Sequence, residues 1–250
     1  MEFVLPSYQP LRQSRSEFHP IRGLDYHVRI WDPAPDRPAA GTLVLLHGWM
    51  DVSASFQFLV DAFERNWRVI APDWRGFGLT GRGCGDCYWF PDYLADLEFL
   101  LDALLPGQAV DLVAHSMGGN VSLIYAGVRP QRVRRLVNLE GMGMQATQPE
   151  QAPERYGQWI DELREGARLR DYGSRAEVAE RLVRNNPRLG AERAAFLAEH
   201  WALPAADGRF VLAGDAAHKI VNAQLYRVDE VMACWRRVRA DVLLLVARQS

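Results

Sequence analysis

Cysteine is scarce here: three among 250 residues, Cys84, Cys87 and Cys234. An odd, low count excludes a disulfide-built secreted scaffold and fits a reducing compartment, so a cytoplasmic location is expected. Cys84-Gly85-Asp86-Cys87 is a lone CxxC. Without a second CxxC, or a His pair at ligand spacing, it reads as a polar, glycine-rich loop rather than a redox couple or half a zinc site. No metal and no cofactor is expected. Long apolar runs are missing too. None approaches the roughly 18 residues that a membrane span needs. The longest, near residues 43–46 and 242–247, have the length of buried strands. The opening Met1-Glu2-Phe3-Val4-Leu5-Pro6 has no basic stretch ahead of an apolar core, so no signal peptide is expected. Charge of one sign is not in excess either. Lys+Arg number 29 against 31 Asp+Glu, a net charge of −2. Nothing in that balance asks for nucleic acid or an anionic membrane as partner. No internal repeat or low-complexity tract stands out.

What is present is ordinary globular composition, 48% hydrophobic and 24% charged. The length fits one domain, or one domain with a large insertion. Residues 24–31 alternate as a strand does. Residues 42–46, 68–71, 110–114, 133–139 and 242–247 are short apolar runs. Runs that are apolar on both faces suit a parallel sheet covered by helices on each side. Between them, Leu94, Leu97, Leu101 and Leu104 form one helical stripe. Pro91 fits that helix's first turn, and Pro106-Gly107 ends it. Residues 117–127, small and apolar, fit a buried helix. This rhythm implies right-handed crossovers and an α/β doubly wound, mostly parallel sheet.

From about residue 143 to 237 the rhythm breaks, and no strand run of the earlier kind occurs. Tyr156, Trp159, Ile160 and Leu163 make a helical stripe. Ser174-Arg175-Ala176-Glu177 reads as a capping box opening another helix. Residues 191–199 and 229–237 read as two more. The expected organisation is a core over 1–142, a helical insertion over 143–237, and a return to the core over 238–250.

The chemistry concentrates at Ala114-His115-Ser116-Met117-Gly118-Gly119, which follows a strand and opens a helix. This is a nucleophile elbow, G-x-S-x-G, with Ala in the first glycine position. Small neighbours are needed because the turn is tight and the serine's backbone strained. The elbow presents the Ser116 hydroxyl to a cleft. It also sets the Met117 N–H at a helix N-terminus, where it can stabilise an oxyanion. Two further motifs precede it: His47-Gly48-Trp49 after one strand, and Asp73-Trp74-Arg75-Gly76-Phe77-Gly78 after the next.

In this order, HG, D-x-R-G-x-G and the elbow strongly resemble the α/β-hydrolase superfamily. The match spans residues 42–140 and the run at 242–247. Trp49, Met50 and Asp51 after HG, with the layout of the insertion, look most like its serine-hydrolase-like branch. The resemblance implies an α/β-hydrolase fold with a helical cap over 143–237. It implies that Trp49 supplies the second oxyanion N–H. His47 in that loop is expected to be structural. The superfamily's triad runs Ser, acid, His along the chain, with the acid at one of two strand ends. Glu140 sits at the first, spaced from Ser116 as in haloalkane dehalogenases that carry their acid there, and is expected to be the triad acid that orients the imidazole and stabilises the imidazolium; the alternative is a helix-capping or surface Glu. An Asp just past Ser250 is the rival acid. The superfamily places its His after a further strand, so the base is expected beyond Ser250. Of His19, His27, His47, His115, His200 and His218, none is assigned as base. His218 is read as a cap contact or a substrate-side residue.

The resulting expectation is a serine hydrolase acting on a small-molecule ester through an acyl-enzyme. A serine nucleophile argues against dehalogenation and epoxide opening, which in this fold use Asp at the elbow. Carbon–carbon bond hydrolysis of a diketone is a serine-based alternative. A non-catalytic ligand-binding protein on the same scaffold is the rival from another class. Trp159, Trp201, Trp235 and Tyr156 suggest an apolar acyl or aromatic pocket, although such residues more often form the core of the insertion than a pocket wall.

Overall fold

The computed structural model describes residues 6–83 and 85–248. Cys84, the opening residues 1–5 and the last two lie outside the described residues, so the CxxC pairing and most of the N-terminal reading rest on sequence alone.

In chain order the elements are β1 (Arg15–Ile21), β2 (Leu24–Trp31), β3 (Gly41–Leu46), α1 (Gln57–Asp61), β4 (Trp67–Pro72), α2 (Phe90–Leu104), β5 (Val110–His115), α3 (Met117–Val128) and β6 (Val133–Leu139). They continue with α4 (Ala152–Glu165), β7 (Asp171–Tyr172), α5 (Arg175–Asn185), α6 (Ala191–Trp201), β8 (Ala202–Pro204), β9 (Phe210–Leu212), α7 (Val228–Trp235) and β10 (Asp241–Leu245). The main sheet has the order β1-β2-β4-β3-β5-β6-β10. β4, β3, β5, β6 and β10 run parallel; β1 and β2 are antiparallel additions at one edge.

Side chains that alternate across β3 show why these runs are apolar throughout. Leu43 and Leu45 pack on one face with Phe56, Val60, Val69 and Ala71. Val44 and Leu46 pack on the other with Leu97 and Leu101 of α2 and Val121 of α3. The sheet is thus covered on both faces, as the hydrophobic pattern requires. Pro91 falls in the first turn of α2, and the chain leaves that helix through the Leu105 N–H donated to Leu101 O at 2.9 Å.

The segment between β6 and β10 is not wholly helical, which corrects the sequence reading. β7, β9 and β8 form a small antiparallel sheet beside α5 and α6. Strands of two and three residues are too short to carry a readable period. Tyr172, Val178, Ala179, Ala194, Ala198 and Ala202 give this segment a small core of its own. The capping box of α5 is half formed: Ser174 Oγ accepts the Glu177 N–H, but the Glu177 carboxylate accepts from Gly173 rather than Ser174. Among the described residues no helix is long and apolar enough to cross a membrane.

Candidate active site

β5 delivers the chain to Ser116 at the carboxyl ends of the parallel strands, where ligands gather in open α/β sheets. Ser116 caps α3 with φ 49° and ψ −113°, a backbone that L side chains rarely adopt. Its surroundings hold it there. The Ser116 N–H donates to Leu139 O at 2.8 Å, and Ser116 O accepts from the Asn120 N–H at 3.0 Å. Gly118 leaves no room for a side chain: a Cβ would lie 2.7 Å from His47 O and still closer to Leu46 O. Ala114, two residues before the serine, is fully buried, so the small residue there is a packing need.

The His47-Gly48-Trp49 loop lies against this turn. A Cβ at Gly48 would sit 3.2 Å from Ser116 Cβ and 2.8 Å from His115 Nδ1. Met50, with φ 54°, completes the bend, and Trp49 is half exposed. Among the described residues, neither the Trp49 N–H nor the Met117 N–H donates to a protein acceptor. The first N–H groups of a helix have no partner inside it.

His47 is structural. The Trp74 N–H donates to its Nε2 at 2.9 Å, so the ring proton sits on Nδ1 and donates to Gly48 O at 2.7 Å. Trp74 Nε1–H returns a bond to His47 O at 3.0 Å. Burial lowers the His47 pKa, which keeps the ring neutral in this role. Asp73 anchors the next loop from inside. Its Oδ1 accepts the Ser53 N–H at 2.6 Å; its Oδ2 accepts from His27 Nδ1 at 2.7 Å and from the Leu79 N–H at 3.0 Å. Burial alone would raise its pKa, yet the hydrogen bond and charge of His27 hold the carboxyl well below the usual range. Arg75 grips the fully buried Asp96 with Nε and Nη2, each at 2.6 Å. Burial pulls on that guanidinium, but the bonds to Asp96 prevail and raise its pKa.

Glu140 stands next to the nucleophile in the sheet. Leu139 pairs with His115, so Glu140 and Ser116 leave adjacent strands at the same level. Glu140 also has positive φ, 62°. Its carboxylate is not taken by Arg75; Oε1 accepts the Ala247 N–H at 2.8 Å, beyond the end of β10. His218 sits between two rings, Phe77 at 3.8 Å and Tyr88 at 3.5 Å, both nearly parallel to it. Burial first of all pushes its pKa down to about 4. Among the described residues no histidine is hydrogen-bonded to Ser116 Oγ. His27 is held by Asp73 and Ser16, His19 by Glu17, and His218 faces Tyr93.

The four aromatics of the 143–237 segment divide. Trp201 donates to Ser55 Oγ at 3.1 Å and packs where that segment meets the core. Trp235 joins the main core, its indole N–H buried without an acceptor among the described residues. Tyr156 is exposed. What sequence reading missed is the Arg22, Tyr26, Arg75 and Asp96 network beneath the loop, which joins residues up to 74 positions apart.

A family model described as alpha/beta hydrolase fold matches residues 41–228. A serine hydrolase-like protein of Danio rerio is 30% identical over 248 residues, covering 96% of this chain and 74% of that protein. A 2-hydroxy-6-oxo-2,4-heptadienoate hydrolase of Pseudomonas putida is 40% identical over 112 residues, 44% of this chain and 40% of that enzyme. The crystal structure of a hypothetical protein from Pseudomonas aeruginosa superposes with a TM-score of 0.83 at 24% identity, covering 95% of this chain and 82% of that one. The sheet order, the strained serine at the end of β5 and these matches agree: the chain belongs to the alpha/beta hydrolase fold family.

Proposed function

We propose that this protein is a serine hydrolase that cleaves a small-molecule ester through an acyl-enzyme. The observation that carries the reading is Ser116 at φ 49° between β5 and α3, with the N–H groups of Trp49, on the adjoining loop, and Met117, at the head of α3, unengaged among the described residues. Ser116 Oγ attacks the acyl carbonyl, the two N–H groups receive the oxyanion, and water then releases the acid. Glu140 serves as the acid that would orient an imidazole, supported by its place one strand over. The 143–237 segment acts as a cap. His218, held between Phe77 and Tyr88, lines the substrate side. None of the histidines among the described residues bonds to Ser116, so in this reading the base comes from outside the described fold.

The test is turnover of p-nitrophenyl acetate by the full-length protein. Ser116→Ala should lower kcat on the order of 10³-fold or more while leaving the fold intact. Unchanged turnover would remove Ser116 from the mechanism. The local 40% identity to a 2-hydroxy-6-oxo-2,4-heptadienoate hydrolase favours one second reading, hydrolysis of a carbon–carbon bond in a diketone. Offering both substrates separates the two, since Ser116 is required in either.

A further inference from the structure

A cavity of about 200 Å³ lies away from Ser116, between the Asp73 loop, β2 and α6. Arg29, Ser53, Asp73, Glu199, His200 and Leu203 are among its lining residues; Ser116, Met117 and Trp49 are not. Arg29 reaches it from β2. Its Nη1 donates to Ser14 Oγ at 3.0 Å and its Nε to Ser53 Oγ at 3.4 Å. Among the described residues it forms no ion pair and makes no other hydrogen bond, so three of the five guanidinium donors are unused. The Asp73 charge attracts it, but makes no ion pair with it; the Asp73 oxygens accept instead from His27, Ser53 and Leu79. Burial outweighs that attraction and lowers the Arg29 pKa. This is a half-buried guanidinium whose unused donors are free to meet a ligand.

His200 lines the same cavity, its ring edge-on to Phe196 at 4.8 Å and without a protein hydrogen bond among the described residues. Burial, then the Arg29 charge, bring its pKa to about 4, so it is neutral near pH 7 and offers one ring N–H. Two carboxylates of the lining oppose an anion: Asp73, which accepts from His27, Ser53 and Leu79, and Glu199, which lies exposed where solvent and salt screen it. A fork of unused guanidinium donors facing a neutral imidazole matches a planar, two-oxygen anion. The volume is below the roughly 300 Å³ at which pockets for drug-sized ligands begin.

We infer that the cavity between Arg29 and His200 is a second ligand site that takes a small monocarboxylate. The carboxylate would pair with Arg29 and accept from His200, with its short apolar tail against Leu203 and Val52. This site stands independently of the reaction assigned to Ser116.

The experiment is NMR of the histidine ring signals of the folded protein at neutral pH, titrated with acetate, propionate and butyrate. The His200 signal should shift saturably, and its pKa should rise on binding. Arg29→Met should weaken the affinity at least about tenfold, since a charge-assisted pair is lost. Arg29→Lys, which keeps the charge and loses the fork, serves if the methionine variant does not fold, and should weaken binding several-fold. Ser116→Ala should bind as the wild type does. The inference is overturned if His200 does not respond, if Arg29→Met or Arg29→Lys binds as tightly as wild type, or if Ser116→Ala abolishes the effect. Inorganic phosphate moving the His200 signal as strongly as acetate would overturn the carboxylate assignment.

Discussion

Ser116 holds a positive-φ backbone that costs about 1–3 kcal/mol wherever it occurs, and it persists only when neighbours over-determine it. Here the neighbours are backbone: Leu139 O on the serine N–H, and the carbonyls of Leu46 and His47 facing Gly118. Carbonyls in a buried strand end cannot swing aside as a long side chain can. Gly118→Ala should therefore destabilise the protein by about 3 kcal/mol and disorder the elbow. Gly157→Ala, on α4 where a Cβ meets nothing within 4 Å, should instead be stabilising by about 0.5–1 kcal/mol. Chemical denaturation of the two variants checks the contrast, and equal effects would mean that the close packing around Gly118 is not what shapes the turn. At this scale the elbow was legible, because small residues flanking a serine between strand and helix are what so tight a turn demands. The unused donors of Arg29 were not legible. They depend on Ser14, Ser53 and Asp73 meeting in space, and no local spacing records that.

The elements differ in how plainly their residues declare them. β3, β4 and β5 are central strands and read as largely apolar runs, and β6 joins them despite Arg134, Arg135 and Asn138. β1 is hard to read because its sequence, RSEFHPI, is mostly polar and includes Pro20; it is an edge strand, where Pro is tolerated. Its clue is the Arg22-Gly23 pair that joins it to β2, with φ of 49° and 81°, as a two-residue hairpin turn demands. β10 occupies the other edge. Val242, Leu243, Leu244 and Leu245 are all at least 37% exposed, and one side of the strand has no partner strand among the described residues. Such an edge templates pairing with another chain. The apparent mass of the 250-residue chain by light scattering should rise with concentration, and Leu243→Lys should suppress that rise. If the apparent mass is flat for the unsubstituted chain, or the lysine changes nothing, β10 is not the sticky element.

The whole molecule should be acid-sensitive in a defined window. His200 and His218 have pKa values of about 4 in the fold against the ordinary 6.5. Between those values the unfolded chain binds protons that the folded one refuses, so stability falls as pH drops from 6.5 towards 4. Each group contributes at most about 1.4 kcal/mol per pH unit there, and less for the more exposed His200. Asp73, held below the usual carboxylate range, adds a further loss as pH falls below its ordinary 3.8. Tm measured from about pH 7.5 down to about 4 should decline, and His218→Gln should flatten the slope; a level Tm across that range would contradict the buried environment of both rings. The same neighbourhood also fastens two distant stretches of the chain together. Gly78 N–H donates to Ala213 O and Asp215 N–H to Gly76 O, each at 2.8 Å, and Phe77 bridges Gly214. The chain from 213 to 215 is thus stitched, main chain to main chain, onto the loop that Asp73 anchors, whereas α4 buries no residue at all. Because that seam is made of main-chain bonds, no side-chain substitution that keeps the N–H would remove the rivets, and the 213–215 stretch stays fastened to the core whatever those side chains become.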